Sequence, residues 1–211
     1  MDNTLTRLVI ILPVILVSMT LHEMVHAYVS HWLGDDTAYL QGRVSFNPLR
    51  HIDPVLTVAL PLLLVLSGST VVFGAAKPVP VNFMRLKHGD FGGALVGVSG
   101  PLVNLILAVV AAILLRAWLP QSLTLYKILG YTVIVNAGFF IFNMIPWPPL
   151  DGSRLLYAFA PRGLQEAMMR LESYGPTGLI IFMLLFLTIL QGPLSNLILR
   201  FCSLLTGGLI A

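Results

Sequence analysis

Apolar runs long enough to cross a bilayer alternate with short polar connections along most of the chain. A span needs about 20 apolar residues rising 1.5 Å each. Residues 8–33, 92–119, 125–145 and 178–190 supply such runs, and the last continues past Gln191-Gly192-Pro193 into residues 194–209. That continuation is either a fifth span or the second half of a broken one. Residues 54–73 form a marginal run, interrupted by Pro54, Pro61 and the turn signal Ser67-Gly68-Ser69. The alternation in "YLQGRVSF" within the polar stretch 34–53 predicts a short β-ribbon. In "KPVPVN", Pro78 and Pro80 at alternate positions force an extended segment, suited to an edge strand. Residues 154–174 read as an amphipathic helix or loop.

Composition agrees with this pattern. The chain is 57% hydrophobic and 10% charged, whereas soluble domains carry about 25% charged residues. The fold class is therefore an all-α polytopic membrane protein of about five to six membrane segments, organised as one domain over residues 1–211. The net charge of +3 points to basic loops on the cytoplasmic side and anionic lipid, not to nucleic acid. The single cysteine, Cys202, rules out an internal disulfide and any cysteine-based metal site. Arg7 ahead of an apolar run resembles a signal peptide, but no small-residue cleavage pattern interrupts the run, so it reads as a retained span.

The first span carries the chemistry. It contains "HEMVH", His22 to His26, where ionisable groups are costly and mark function by default. On a helix, His22 and His26 lie about 40° apart around the axis and about 6 Å apart along it. Both imidazoles then reach one ion, while Glu23, about 100° round from His22, is placed to act on a water as general base. This is the H-E-x-x-H arrangement of zinc peptidases. The bland alternative is a buried histidine cluster serving structural hydrogen bonds.

A catalytic zinc takes three protein ligands and keeps an open position. The third cannot be His31, which falls about 140° from the His26 face. Nor does the metzincin spacing hold, since Val29 and Trp32 occupy its glycine and histidine positions. His51, Asp53, Asp35 and Asp36 sit in a polar loop where solvated surface is the simpler role. Asp151 follows a full span, in "PPLDG", where prolines stop the helix and Gly152 permits a tight turn.

Taken together, "HEMVH", "GPLVN" (100–104), "NMIPWPPLDG" (143–152), "FNPLRHIDP" (46–54) and "GAAKPVPVN" (74–82) resemble the site-2 protease family of intramembrane zinc metalloproteases. The likeness covers most of residues 18–155 and is nearest to the short prokaryotic branch without PDZ or CBS domains. It implies one Zn2+ per chain held by His22, His26 and Asp151, with Glu23 as catalytic base. It also implies that Asn104 binds substrate backbone or the developing oxyanion. The reaction it implies is hydrolysis of peptide bonds in or near transmembrane segments of protein substrates, in a prokaryotic cytoplasmic membrane.

Topology constrains the rest. For His26 and Asp151 to share an ion, the chain must cross the membrane an odd number of times between their spans. Residues 54–73 are then expected to enter and return, with Ser67–Ser69 at or after the bend. They lead into Lys77, Pro78, Val79, Pro80, Val81 and Asn82, an edge strand able to pair with unwound substrate. Arg43, Arg50, Lys77, Arg85, Lys87, Arg154, Arg162 and Arg170 then share the active-site side, which the positive-inside rule makes cytoplasmic. The competing reading is a zinc transporter or metal-binding membrane protein, but no second file of His, Asp or Glu runs through the other spans. The expected partners are a transmembrane substrate and the bilayer, with the oligomeric state open.

Overall fold

The longest apolar runs become helices α1 (Thr4–Trp32), α3 (Asp90–Trp118) and α4 (Leu123–Asn143). Among the described residues these are the 3 helices long and apolar enough to cross a membrane. The computed structural model describes residues 4–59, 62–63, 66, 76–118, 122–174, 185 and 189–210. The remaining helices are α2 (Thr37–Leu40), α5 (Gly152–Phe159), α6 (Arg162–Ser173) and α7 (Gln191–Thr206). Ser122 starts α4 by accepting from the Leu125 N–H, and Gly207, left-handed at φ 65°, ends α7.

Contacts fix the directions of the helices. Along α1, Ser18, His22 and His26 meet Asn136, Asn104 and Val96 in turn. Rising numbers on α1 meet falling numbers on α3, so those two helices are antiparallel. Ile11, Ile15 and Met19 of α1 pack with Val135 and Phe139 of α4, and α4 runs parallel to α1, since Ser18 meets Asn136 while the later His22 and His26 meet Asp151 beyond the end of α4. Helix α7 runs against α4, with Gly138 near Ile198 and Gly130 near Ile210.

Packing is inverted relative to a water-soluble protein. Ala108, Ala111 and Ala112 of α3 face Val133 and Ala137 of α4 and Cys202 of α7. Ile106, Val110 and Ile113 on the other face of α3 stay exposed. Small residues inside let helix backbones approach, and large aliphatic ones outside suit lipid.

Several sequence expectations change. No strand occurs among the described residues, so neither the β-ribbon nor a paired edge strand forms. Asp35 accepts from the Thr37 N–H and hydroxyl, which folds residues 37–40 into α2. Tyr39 then stacks on His31, and Gly42 turns the chain at φ 66°. Arg43 does not face outward; it is buried and donates to the carbonyls of Arg50, Lys77 and Pro78. Residues 154–174 divide at Pro161, which cannot continue α5 and opens α6. The Gln191-Gly192-Pro193 break is instead the first turn of α7, where proline's missing N–H leaves no helical bond unmade. The re-entrant bend at Ser67–Ser69 and most of the 178–190 run lie outside the described residues. Residues 54–59 are helical.

The 76–82 segment is held by one backbone hydrogen bond and by two side chains rather than by a ladder. At one end the Lys77 N–H donates to the His51 carbonyl (2.9 Å) beside the Arg43 clamp. At the other the Asn82 N–H donates to Asp35 Oδ2 (2.6 Å). Burial alone would raise the Asp35 pKa. The Thr37 hydroxyl, the Asn82 and Thr37 N–H groups and the Ser30 hydroxyl outweigh it and hold the carboxyl below the usual carboxylate range. With a folded pKa below the unfolded one, the pin is at full strength above that range and weakens as pH falls through it.

Candidate metal centre

His22 and His26 project from α1 into the seam between α1 and α3, 8% and 6% exposed. Such close packing requires glycine opposite them. A Cβ added at Gly100 would sit 2.3 Å from His26 Nε2 and 2.7 Å from His22 Cε1. One turn earlier, a Cβ at Gly97 would lie 2.8 Å from the Asp151 carbonyl and from Arg154 Cβ. The glycine face of α3 thus lets the α4–α5 turn and the α1 histidines converge. Replacing Gly100 by Ala is expected to displace both imidazoles and to weaken zinc binding by about 10- to 100-fold. Metal content of the purified variant checks this.

Asp151 arrives from the far end of α4. Gly152 folds the turn back onto the helix end, where a Cβ would meet the Met144 carbonyl at 2.4 Å. Asp151 occupies the position before α5, yet its side chain makes no capping bond there. Its Oδ2 lies 3.1 Å from His22 Nε2 and 3.4 Å from His26 Nε2, and the two Nε2 atoms are 3.0 Å apart.

Hydrogen bonding decides which ring atoms face inward. His26 Nδ1 is 2.7 Å from the Val96 carbonyl, which only accepts, so Nδ1 carries the hydrogen. Pro101, inside α3, lacks an N–H and leaves the Gly97 carbonyl without its helical donor, next to Val96. His22 Nδ1 is 2.6 Å from Asn104 Oδ1. Both Nε2 lone pairs therefore point at each other and at a carboxylate. Such a set repels itself without a cation, and four-coordinate zinc at 2.0–2.1 Å separates its ligands by roughly 3.3 Å. His22, His26 and Asp151 could hold such an ion, and the donor set of two imidazoles and one carboxylate fits zinc.

Glu23 is half-buried on α1 beside His22, with no hydrogen-bond or ion-pair partner among the described residues. Asn104 is fully buried, its Oδ1 on His22 and its Nδ2 donating to Asn136 Oδ1 at 2.8 Å. The substrate or oxyanion role expected of it finds no group facing open space. The other candidate ligands are engaged elsewhere: Asp36 pairs with His31 at 2.6 Å, Asp53 accepts from the Val55 N–H, and His51 Nε2 donates to the Ser45 carbonyl. Val81 of the 77–82 segment packs with Leu33, Leu86 and Val96, and Val96 is the residue whose carbonyl orients His26. Sequence reasoning passed over Asn136, although a fully buried amide in an apolar helix carries the same signal as a buried histidine.

The chain is 38% identical over 182 residues to a Bacillus subtilis protein named "Putative zinc metalloprotease YwhC", a match covering 82% of this chain and 78% of that protein. A Mycolicibacterium smegmatis protein named "Putative zinc metalloprotease Rip2" is 28% identical over 161 residues, which span 76% of this chain and 61% of the relative. Its Mycobacterium tuberculosis namesake is 29% identical over 173 residues, spanning 82% of this chain and 64% of the relative. No family model and no solved structure matches the chain.

Proposed function

The chain belongs to the zinc metalloprotease family that includes the Bacillus subtilis protein YwhC, and from that premise we propose that it is an intramembrane endopeptidase of the site-2 type, with one zinc per chain. The observation that carries this reading is the position of the triad. His22 and His26 lie within an apolar helix long enough to span, and Asp151 closes on them from the end of a second such helix. A peptide bond brought there would be one drawn from within or beside a transmembrane segment.

Zinc held by His22, His26 and Asp151 would supply an acidified water and polarise the scissile carbonyl. The rest falls to the chain. The Glu23 carboxylate takes the proton from the attacking water and returns it to the leaving amine nitrogen. With no hydrogen bond to it among the described residues, both its oxygens are available for this. Val96 and Asn104 hold the imidazoles in the protonation state that ligation needs. Asn104 acts through His22 and does not touch substrate in this account. The 77–82 segment, pinned by Arg43 and Asp35, offers backbone groups to an unwound substrate. With the basic loops gathered at the triad's end, the site opens to the cytoplasm.

Substrate helix stability should then control the rate. Replacing two leucines by glycine near the cleaved bond of a single-span substrate is expected to speed hydrolysis by roughly 10- to 30-fold, since each glycine weakens a helix by about 1 kcal/mol. Proteoliposomes carrying that substrate and an internal zinc indicator separate this reading from transport. Cleavage without zinc flux supports the protease, and zinc flux without cleavage contradicts it.

A further inference from the structure

We propose that Asn136 is a positioning residue for the metal centre, one that fixes which nitrogen of His22 is protonated although Asn104 stands between them. A buried chain of hydrogen bonds joins α4, α3 and α1. Asn136 Nδ2 lies 2.9 Å from the Thr132 carbonyl and 2.9 Å from Ser18 Oγ. Asn136 Oδ1 faces Asn104 Nδ2 at 2.8 Å, and Asn104 Oδ1 faces His22 Nδ1 at 2.6 Å.

The two ends of an asparagine amide are alike in shape and opposite in hydrogen bonding: NH2 donates, oxygen accepts. A backbone carbonyl only accepts. The Thr132 carbonyl therefore selects the NH2 end of Asn136, which turns the Asn136 oxygen toward Asn104. That oxygen selects the NH2 end of Asn104, which turns the Asn104 oxygen toward His22. His22 must then carry its hydrogen on Nδ1, leaving the Nε2 lone pair for Asp151's side of the pocket. The Ser18 hydroxyl can donate or accept, so it fills a place in the chain without giving it a direction.

His26 receives the same instruction in one step from the Val96 carbonyl. His22 receives it in three, because no backbone carbonyl is given to its Nδ1. Burial makes the relay strict. Asn104 and Asn136 are 0% exposed and Ser18 is 2% exposed, so bulk water cannot replace a lost partner. A reversed Asn104 would set NH2 against Nδ1–H, or move the hydrogen to Nε2, where it would occupy the ligand position.

The test reads zinc affinity of the purified full chain by competition with a chelator, together with its metal-free melting temperature. Asn136→Leu should weaken zinc binding by about 10- to 100-fold, the usual effect of losing a partner that orients a ligating histidine. Ser18→Ala should leave it within about twofold, because direction comes from Thr132. Asn104→Asp presents an acceptor at either oxygen and needs no orienting. In that background, adding Asn136→Leu should change zinc affinity by less than about threefold. Should Asn136→Leu fail to fold, Asn136→Ala is read in the same way. A variant at 136 that melts lower but binds zinc as wild type does would reduce Asn136 to packing and overturn the proposal. So would a double variant that loses as much affinity as Asn136→Leu alone.

Discussion

Asp151→Ala is expected to leave a folded protein that no longer retains zinc. The carboxylate is the one anionic member of the triad, and two neutral imidazoles alone make a weak site for a divalent ion. We expect affinity to fall by at least about 100-fold, beyond the loss typical of an orienting partner. The metal-free fold should survive because the side chain makes no capping bond to α5 and is 24% exposed. Metal analysis after gel filtration, with a melting curve of the metal-free protein, checks both halves. Stoichiometric zinc in Asp151→Ala would move the third ligand elsewhere. The other carboxylates considered, Asp35, Asp36 and Asp53, are committed to Thr37 and Asn82, to His31 and to Val55.

Glu23→Gln should do the opposite, keeping zinc and losing hydrolysis. The substitution preserves the size of the side chain and removes only its ability to take a proton. General acid–base catalysis contributes about 10²–10⁴-fold, and a loss in that range with zinc Kd unchanged is the expected result. No described residue depends on the Glu23 carboxylate for a hydrogen bond, so thermal stability should not move. Retained activity in zinc-loaded Glu23→Gln would assign the proton transfer to another group. Lost zinc would make Glu23 a ligand, which its position one residue from His22 does not favour.

These contrasts also mark what the sequence could express. The helical offset of His22 and His26 is local, and a repeat of four on an apolar helix dictates a shared face whatever the rest of the chain does. Asp151 is different in kind. Its approach depends on α4 running parallel to α1 and on Gly97 and Gly100 letting α3 lie close, and no spacing rule contains that. Resemblance to a family named it, where geometry from the sequence left several carboxylates open. The prediction of a β-ribbon in "YLQGRVSF" failed because alternation there had another cause. Tyr39 covers His31 and Arg43 turns inward to hold the 77–82 segment, so both depart from the two-faced pattern of a strand. Asn136 went unread because an uncharged amide draws less notice than a histidine. The cost of burying it unpaired follows from the same physics, and its partners on three helices are visible only once those helices are packed.

On the proposed function, this triad with its metal hydrolyses a peptide bond inside a membrane span. The most direct test is to map the products of a single-span substrate incubated in liposomes with zinc-loaded, chelator-stripped and zinc-restored protein. The expected product has a new N-terminus within the apolar stretch of the substrate, absent after stripping and restored by zinc. Cleavage that persists in the stripped protein, or cuts confined to the aqueous flanks, would contradict it.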